Sequence, residues 1–143
     1  MDPSKKVFYL TSEKFQNDFI SSMLANSVNQ FKDKYRKYDM LIMDDIQFLS
    51  GKEKTQEELF HLFNSMKDNN KHIVFSSDKH PNFITGLEDR LKSRFAAGMV
   101  IDIPAPDHES RVAIIKTKCS SINLFIDDEI IDYLADSIKG NIR

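Results

Sequence analysis

An α/β fold built on a parallel sheet is what this sequence predicts, and three observations predict it. Strand-length apolar runs, "VFYLT", "MLIM" and "HIVFSS", alternate with longer stretches of helical periodicity. The runs at 40–43 and 72–77 lack a polar alternation and read as strands buried on both faces. Both end in acids, at Asp44-Asp45 and at Asp78, where open α/β sheets place their ligands.

Each element has its own warrant. Val7 to Thr11 is rich in β-branched and aromatic residues and reads as the first strand. Ser12 is expected to cap a helix whose apolar stripe is Phe15, Phe19, Met23 and Leu24. "SVNQFKDKYRKY" is a second helical stretch, with Lys32, Lys34, Arg36 and Lys37 against the single acid Asp33. The strand at 40–43 follows, then a loop, "SGKEK". Thr55-x-x-Glu58 reads as a capping box for a helix carrying Leu59, Leu62, Phe63 and Met66. "HIVFSS" is the third strand, Pro81 to Thr85 a loop or short helix, "LEDRLKSRF" a brief charged helix, and "GMVIDI" a last strand. "PAPD" breaks the chain, with Asp107 placed as an N-cap for the first of two final helices. The expected division is therefore an α/β core at 1–105 and a small helical module at 106–143.

Composition narrows the function classes. A net charge of -2 over 143 residues argues against a uniformly basic nucleic-acid binder, so any such role rests on a local patch. The lone cysteine, Cys119, excludes an internal disulfide framework and fits a reducing cytoplasm. No apolar run approaches the roughly 18 residues of a membrane span, and "MDPSKK" has no signal-peptide apolar region. His61, His72, His80 and His108 have no metal-ligand spacing, and Ser76 and Ser77 lack the context of a nucleophile elbow.

The acids carry the chemistry. Mg²⁺ on a nucleotide is held by one or two carboxylates, with phosphate and water in the other positions. A second acid beside it can orient or deprotonate an attacking water. An apolar strand followed by an acid pair is the Walker B arrangement. Two acids capping the following turn is the plainer reading. Receiver domains also place acid pairs at strand ends, but the further phosphoacceptor Asp and downstream Lys they need do not fit the spacings here. The basic helix is open in the same way, as a solvated face or as a nucleic-acid surface.

Read in order, "YLTSEKFQNDFI", "YDMLIMDDIQFLSGKEKTQEELFHLFN", "IVFSSDKHP", "LEDRLKSRF" and "GNIR" closely resemble the ATPase domain of the bacterial DnaA replication initiators. The resemblance runs over essentially the whole chain and implies an AAA+ fold of the P-loop NTPase type followed by the start of a helical lid. It implies ATP with Mg²⁺ as cofactors. Asp44 then matches the Walker B acid that holds Mg²⁺, Asp45 the acid acting on the hydrolytic water, and Asp78 the sensor 1 residue near the γ-phosphate. Arg94 matches the arginine finger that reaches a neighbouring subunit's ATP. Arg90 and Arg36 match subunit contacts, and Arg143 the sensor 2 arginine. Ile20, Lys52 and Lys54 match positions that touch single-stranded DNA, on or near a helix pair that is an initiator-specific insertion. The partners implied are origin DNA, further copies in an ATP-dependent filament, and the replicative helicase.

One departure is large. The family's phosphate loop, G-x-x-x-x-G-K-[ST], is not in these residues; the only "GK" is Gly51-Lys52, without the preceding glycine. The strand leading into that loop and the helix-turn-helix domain that reads duplex origin DNA are missing too. The chain is expected to be the middle of a longer initiator, a slow ATPase as a whole and inactive as this part alone. A regulatory or helicase-loader relative, using the fold mainly for assembly, is the alternative.

Overall fold

The computed structural model describes residues 4–138. They fall into two compact units, Met1–Val100 and Ile101–Arg143. Among the described residues no helix is long and apolar enough to cross a membrane.

The first unit is an α/β layer. β1 (Val7–Thr11), β2 (Met40–Asp44) and β3 (His72–Phe75) form a parallel sheet in that order. Register pairs Val7 with Met40 and Thr11 with Asp44 on one side, and Met40 with His72 and Met43 with Phe75 on the other. β2 is central and fully buries Leu41 and Met43, but Met40 and Ile42 on its other face are only half-buried. β3 alternates exposed and half-buried residues. Neither strand is therefore buried on both faces as its apolar run predicts: among the described residues one face of the sheet is left partly open. β1 and β3 are the outer strands among the described residues; Val7, Tyr9 and Val74 share the face of Ile42 and are exposed, while Leu10 on the opposite face of β1 is buried.

The helices α1 (Ser12–Leu24) and α2 (Val28–Arg36) join β1 to β2, and α3 (Glu53–Asp68) joins β2 to β3. α1 and α2 meet through rings: Phe15, Phe19, Phe31 and Tyr35 are buried, with centroids 4.9–5.5 Å apart. Aromatic pairs at this spacing contribute roughly 0.5–1.5 kcal/mol each beyond area burial. Asp18 adds a polar tie, accepting from Lys34 Nζ at 2.5 Å, Tyr35 Oη at 2.8 Å and Lys14 Nζ at 3.3 Å. Burial alone pushes the Asp18 carboxyl up, but these hydrogen bonds outweigh it and hold it below the usual carboxylate range. Burial and the Asp18 carboxylate push the Tyr35 phenol far up.

Four local expectations are corrected. The cap of α1 is Thr11, which accepts from Lys14 N at 3.2 Å; Ser12 is buried and donates instead to the Asp45 carbonyl at 2.6 Å. Leu24, expected in the stripe, is 82% exposed because α1 ends there. α3 starts at Glu53, two residues before the expected capping box, and Glu58 pairs with Lys32 Nζ at 3.3 Å. The run at 98–103 forms no strand: it has no sheet neighbour among the described residues, and Met99 and Ile103 are each 88% exposed. An extended run without a pairing edge lacks the hydrogen bonds that define a strand.

After β3, α4 (Asp89–Ala96) buries Leu91 and Phe95. A fully buried amide ties this region together. Gln56 Nε2 donates to the Leu49 and Gly86 carbonyls, both at 2.8 Å, and Gln56 Oε1 accepts from Glu88 N at 2.8 Å.

In the second unit, α5 (His108–Ser121) is capped by Asp107, which accepts from Ser110 N at 2.8 Å. Those bonds hold the Asp107 carboxyl below its usual range. α6 (Asp128–Ser137) packs through Ile131 and Ala135. Arg111 reaches the Ala135 carbonyl at 2.6 Å and the Pro106 carbonyl at 2.9 Å, and Lys116 pairs with Asp128 at 2.7 Å. Arg143 lies outside the described residues.

Candidate nucleotide site

Two adjacent carboxylates leave the end of β2, and each is held by a different set of partners. Asp44 accepts from Tyr9 Oη at 2.6 Å through one oxygen and from Ser76 Oγ through the other. Tyr9 is two residues before Thr11, the register partner of Asp44, so both side chains leave the same face of the sheet. Ser76 follows Phe75, the register partner of Met43, and so stands opposite Asp44 on the other side. It donates its N–H to the Met43 carbonyl at 3.0 Å, and its carbonyl accepts from Ile46 N at 3.0 Å. Its hydroxyl also accepts from Asp45 N at 3.1 Å. Ser76 therefore binds the end of β3 to the whole acid turn.

Asp45 adopts the left-handed conformation, φ 58° and ψ 52°, which Asp tolerates better than most residues. The reversal sends the chain from β2 into a single-turn helix, Ile46–Leu49. The Asp45 carbonyl is fixed by Ser12 Oγ, and its carboxylate accepts from Gln47 Nε2 at 2.9 Å. The other Gln47 side-chain atom, Oε1, is buried with no hydrogen-bond partner among the described residues. A buried acceptor of this kind calls for a water or a ligand.

The donor set suits a hydrated divalent cation carried by a nucleotide. A carboxylate has about four lone-pair positions, so Asp44 can accept two hydroxyls and still ligate. Mg²⁺ asks little more of the protein than one or two such oxygens.

The other expected residues lie outside this turn, and Arg36 is at the opposite edge of the sheet, before β2 and beside Lys71 at the start of β3. Asp78 is exposed in the loop after β3, at the same edge of the sheet, with no hydrogen bond or ion pair among the described residues. Arg90 and Arg94 lie on α4, with Arg90 Nε paired to Glu88. Lys52 and Lys54 are exposed at the start of α3, and Ile20 is 37% exposed on α1. α1 touches the Ile46–Leu49 turn that leads to Lys52. Arg36 ends α2, where its carbonyl accepts from Lys71 Nζ. Arg36 lines an open pocket of about 280 Å³ with Ser65, Met66, Asn69 and Lys71. The basic helix is less available than its sequence implies, since Lys32 and Lys34 are paired with Glu58 and Asp18.

Sequence reasoning missed Tyr9, Ser12 and Gln47, and weighed Ser76 only as a nucleophile. Register could have found Ser76, because parallel strands of equal phase bring the residues after them together. Nothing local marks Tyr9 or Ser12 as partners of an acid pair more than thirty residues away.

Comparison with known proteins places the fold in a family. A family model described as the bacterial DnaA ATPase domain matches residues 1–102. Domain III of the Thermotoga maritima replication initiation protein DnaA is similar, at 40% identity and TM-score 0.93, over 99% of this chain and 59% of that one. A replication initiator DnaA bound to AMPPCP and single-stranded DNA shares 39% identity, TM-score 0.88, over 96% of this chain and 43% of that one. AMPPCP-bound DnaA from Aquifex aeolicus shares 39% identity, TM-score 0.87, over 96% and 43% respectively. The chain thus spans 43–59% of the length of these solved relatives. On the sequence of its acid turn, its parallel sheet and these matches, the chain belongs to the bacterial DnaA ATPase-domain family.

Proposed function

We propose that these residues supply the acids, the trans-acting arginine and part of the single-strand surface of a cytoplasmic, ATP-driven replication initiator that assembles on origin DNA and opens it. The observation that carries this reading is the separate tethering of two adjacent carboxylates. Asp44, fixed by two hydroxyls, is the acid that holds Mg²⁺. Asp45, turned the other way by its left-handed backbone, is the one that orients the attacking water and takes its proton. ATP with its Mg²⁺, when bound, supplies the phosphoryl group and most of the charge neutralisation. In this reading the phosphate-binding loop comes from sequence beyond these 143 residues, Asp78 senses the γ-phosphate, and Arg143 belongs to a lid formed by residues 106–143. Arg36 and Arg90 serve subunit contacts, and the replicative helicase is the downstream partner. The nucleotide analogue and the single strand bound by the solved relative support this reading. A regulatory or helicase-loader relative, using the fold for assembly alone, is the second reading; it predicts no loss when Asp45 is neutralised.

Arg94→Ala tests the assignment of roles. ATP binding by the monomeric initiator should stay within about twofold of wild type while ATP-dependent assembly is weakened roughly tenfold, remaining measurable at higher protein concentration, because the finger serves the neighbour's site. A tenfold fall in monomer binding at equilibrium would contradict the trans role.

The single-strand surface is tested by salt. If Lys52 and Lys54 touch phosphates, each change to Ala should flatten the slope of log affinity against log salt by roughly 0.7. Ile20→Ala should weaken binding with little change in slope, since an apolar contact with bases releases no counterions. Wild-type affinity in all three, measured with assembly monitored in parallel, returns these residues to ordinary surface.

A further inference from the structure

α4 carries three cations, Arg90, Lys92 and Arg94. Two of them are satisfied close by: Arg90 Nε pairs with Glu88, and Lys92 Nζ lies 3.4 Å from Asp89. Arg94 has no carboxylate partner among the described residues. It has instead the ring of Phe60, on α3, whose centroid lies 5.7 Å from its guanidinium carbon. The Arg90 guanidinium carbon lies 5.1 Å from the same ring. Cations four residues apart on a helix repel one another. Here Glu88 offsets the charge of Arg90, and the negative face of the ring attracts both guanidinium groups. Phe60 is half-buried and packs against the core, so the ring offers a fixed surface. A guanidinium has five N–H donors, and lying against a ring spends none of them. An anion with paired oxygens can then take them.

We propose that Phe60 is a positioning residue for Arg94, fixing the guanidinium while leaving its N–H groups for the phosphate oxygens of a nucleotide on a second subunit. The proposal rests on the reading of Arg94 as a trans-acting arginine and adds the side chain that aims it. The test is a double-mutant cycle on ATP-dependent assembly, in an initiator that carries these residues together with a phosphate loop. Phe60→Leu should weaken assembly roughly fivefold, within the range of one cation–π contact. Phe60→Tyr, which keeps the ring, should assemble as wild type, and ATP binding by the monomer should be unchanged in both. In an Arg94→Ala background, Phe60→Leu should cost nothing further. Phe60→Met, closer in volume, replaces Phe60→Leu if the latter lowers the melting temperature. Normal assembly of Phe60→Leu beside a defective Arg94→Ala, or losses that multiply, would overturn the positioning role alone. Normal assembly of Arg94→Ala would remove the reading of Arg94 and this proposal with it.

Discussion

Asp45→Asn, in an initiator carrying these residues, is expected to lower ATP turnover by about a hundredfold or more, with ATP still bound and assembly retained. The backbone of Asp45 does not depend on its charge. Its N–H donates to Ser76 Oγ at 3.1 Å and its carbonyl accepts from Ser12 Oγ at 2.6 Å. Asn adopts the left-handed conformation as readily as Asp, and its amide oxygen can still accept from Gln47. In the proposed role of Asp45, what the substitution removes is the basic oxygen that would take the proton of the attacking water. Single-turnover hydrolysis measured next to an equilibrium ATP titration separates the two effects. Turnover at the wild-type rate would make Asp45 a structural acid of the turn, the plainer reading of the sequence.

The largest structural effect is expected at Gln56. Gln56→Leu should destabilise the Met1–Val100 unit by about 3 kcal/mol or more, as a buried polar network losing its centre does. The Leu49 and Gly86 carbonyls keep one other donor each, from Lys52 N and Gly51 N, both at 3.0 Å. Glu88 N–H loses the acceptor it has in Gln56 Oε1. The surrounding chain has little room to rearrange: Gly86 sits at φ +71°, and a side-chain carbon there would stand 2.8 Å from Ser50 Oγ. Urea unfolding at unchanged slope is the measurement. A loss under about 1 kcal/mol would show that the three groups are satisfied by water instead. Because Gln56 joins the chain beside Lys52 to the start of α4, the same change loosens Arg90 and Arg94 relative to the lysines.

How much of this was legible depended on whether the signal was local. β1, β2 and β3 were, because β-branched and apolar runs of strand length have few other uses, and the acids at the end of β2 stood out against them. The helical stripe of Phe15 and Phe19 was legible for the same reason, while Leu24 was not, since periodicity does not show where a helix stops. The run at 98–103 has the composition of a strand, but a strand also needs a partner edge, which composition cannot supply. Thr55-x-x-Glu58 has the spacing of a capping box, yet the pairing of Glu58 with Lys32 on another helix wins. The roles of Tyr9, Ser12 and Gln56 depend on residues about thirty positions away. No window of sequence contains both members of such a pair.

The central claim is that the acids of one subunit and the arginine of the next complete a single site. Mixing two inactive initiators, one Asp45→Asn and one Arg94→Ala, tests it most directly. In an equal mixture, at protein concentrations where Arg94→Ala is fully assembled, hydrolysis should return to about a quarter of the wild-type rate, since that share of random junctions pairs an intact Asp45 with an intact Arg94. A mixture as inactive as its two components, with both proteins shown to co-assemble, would place the acid and the arginine in the same subunit's site and contradict the account.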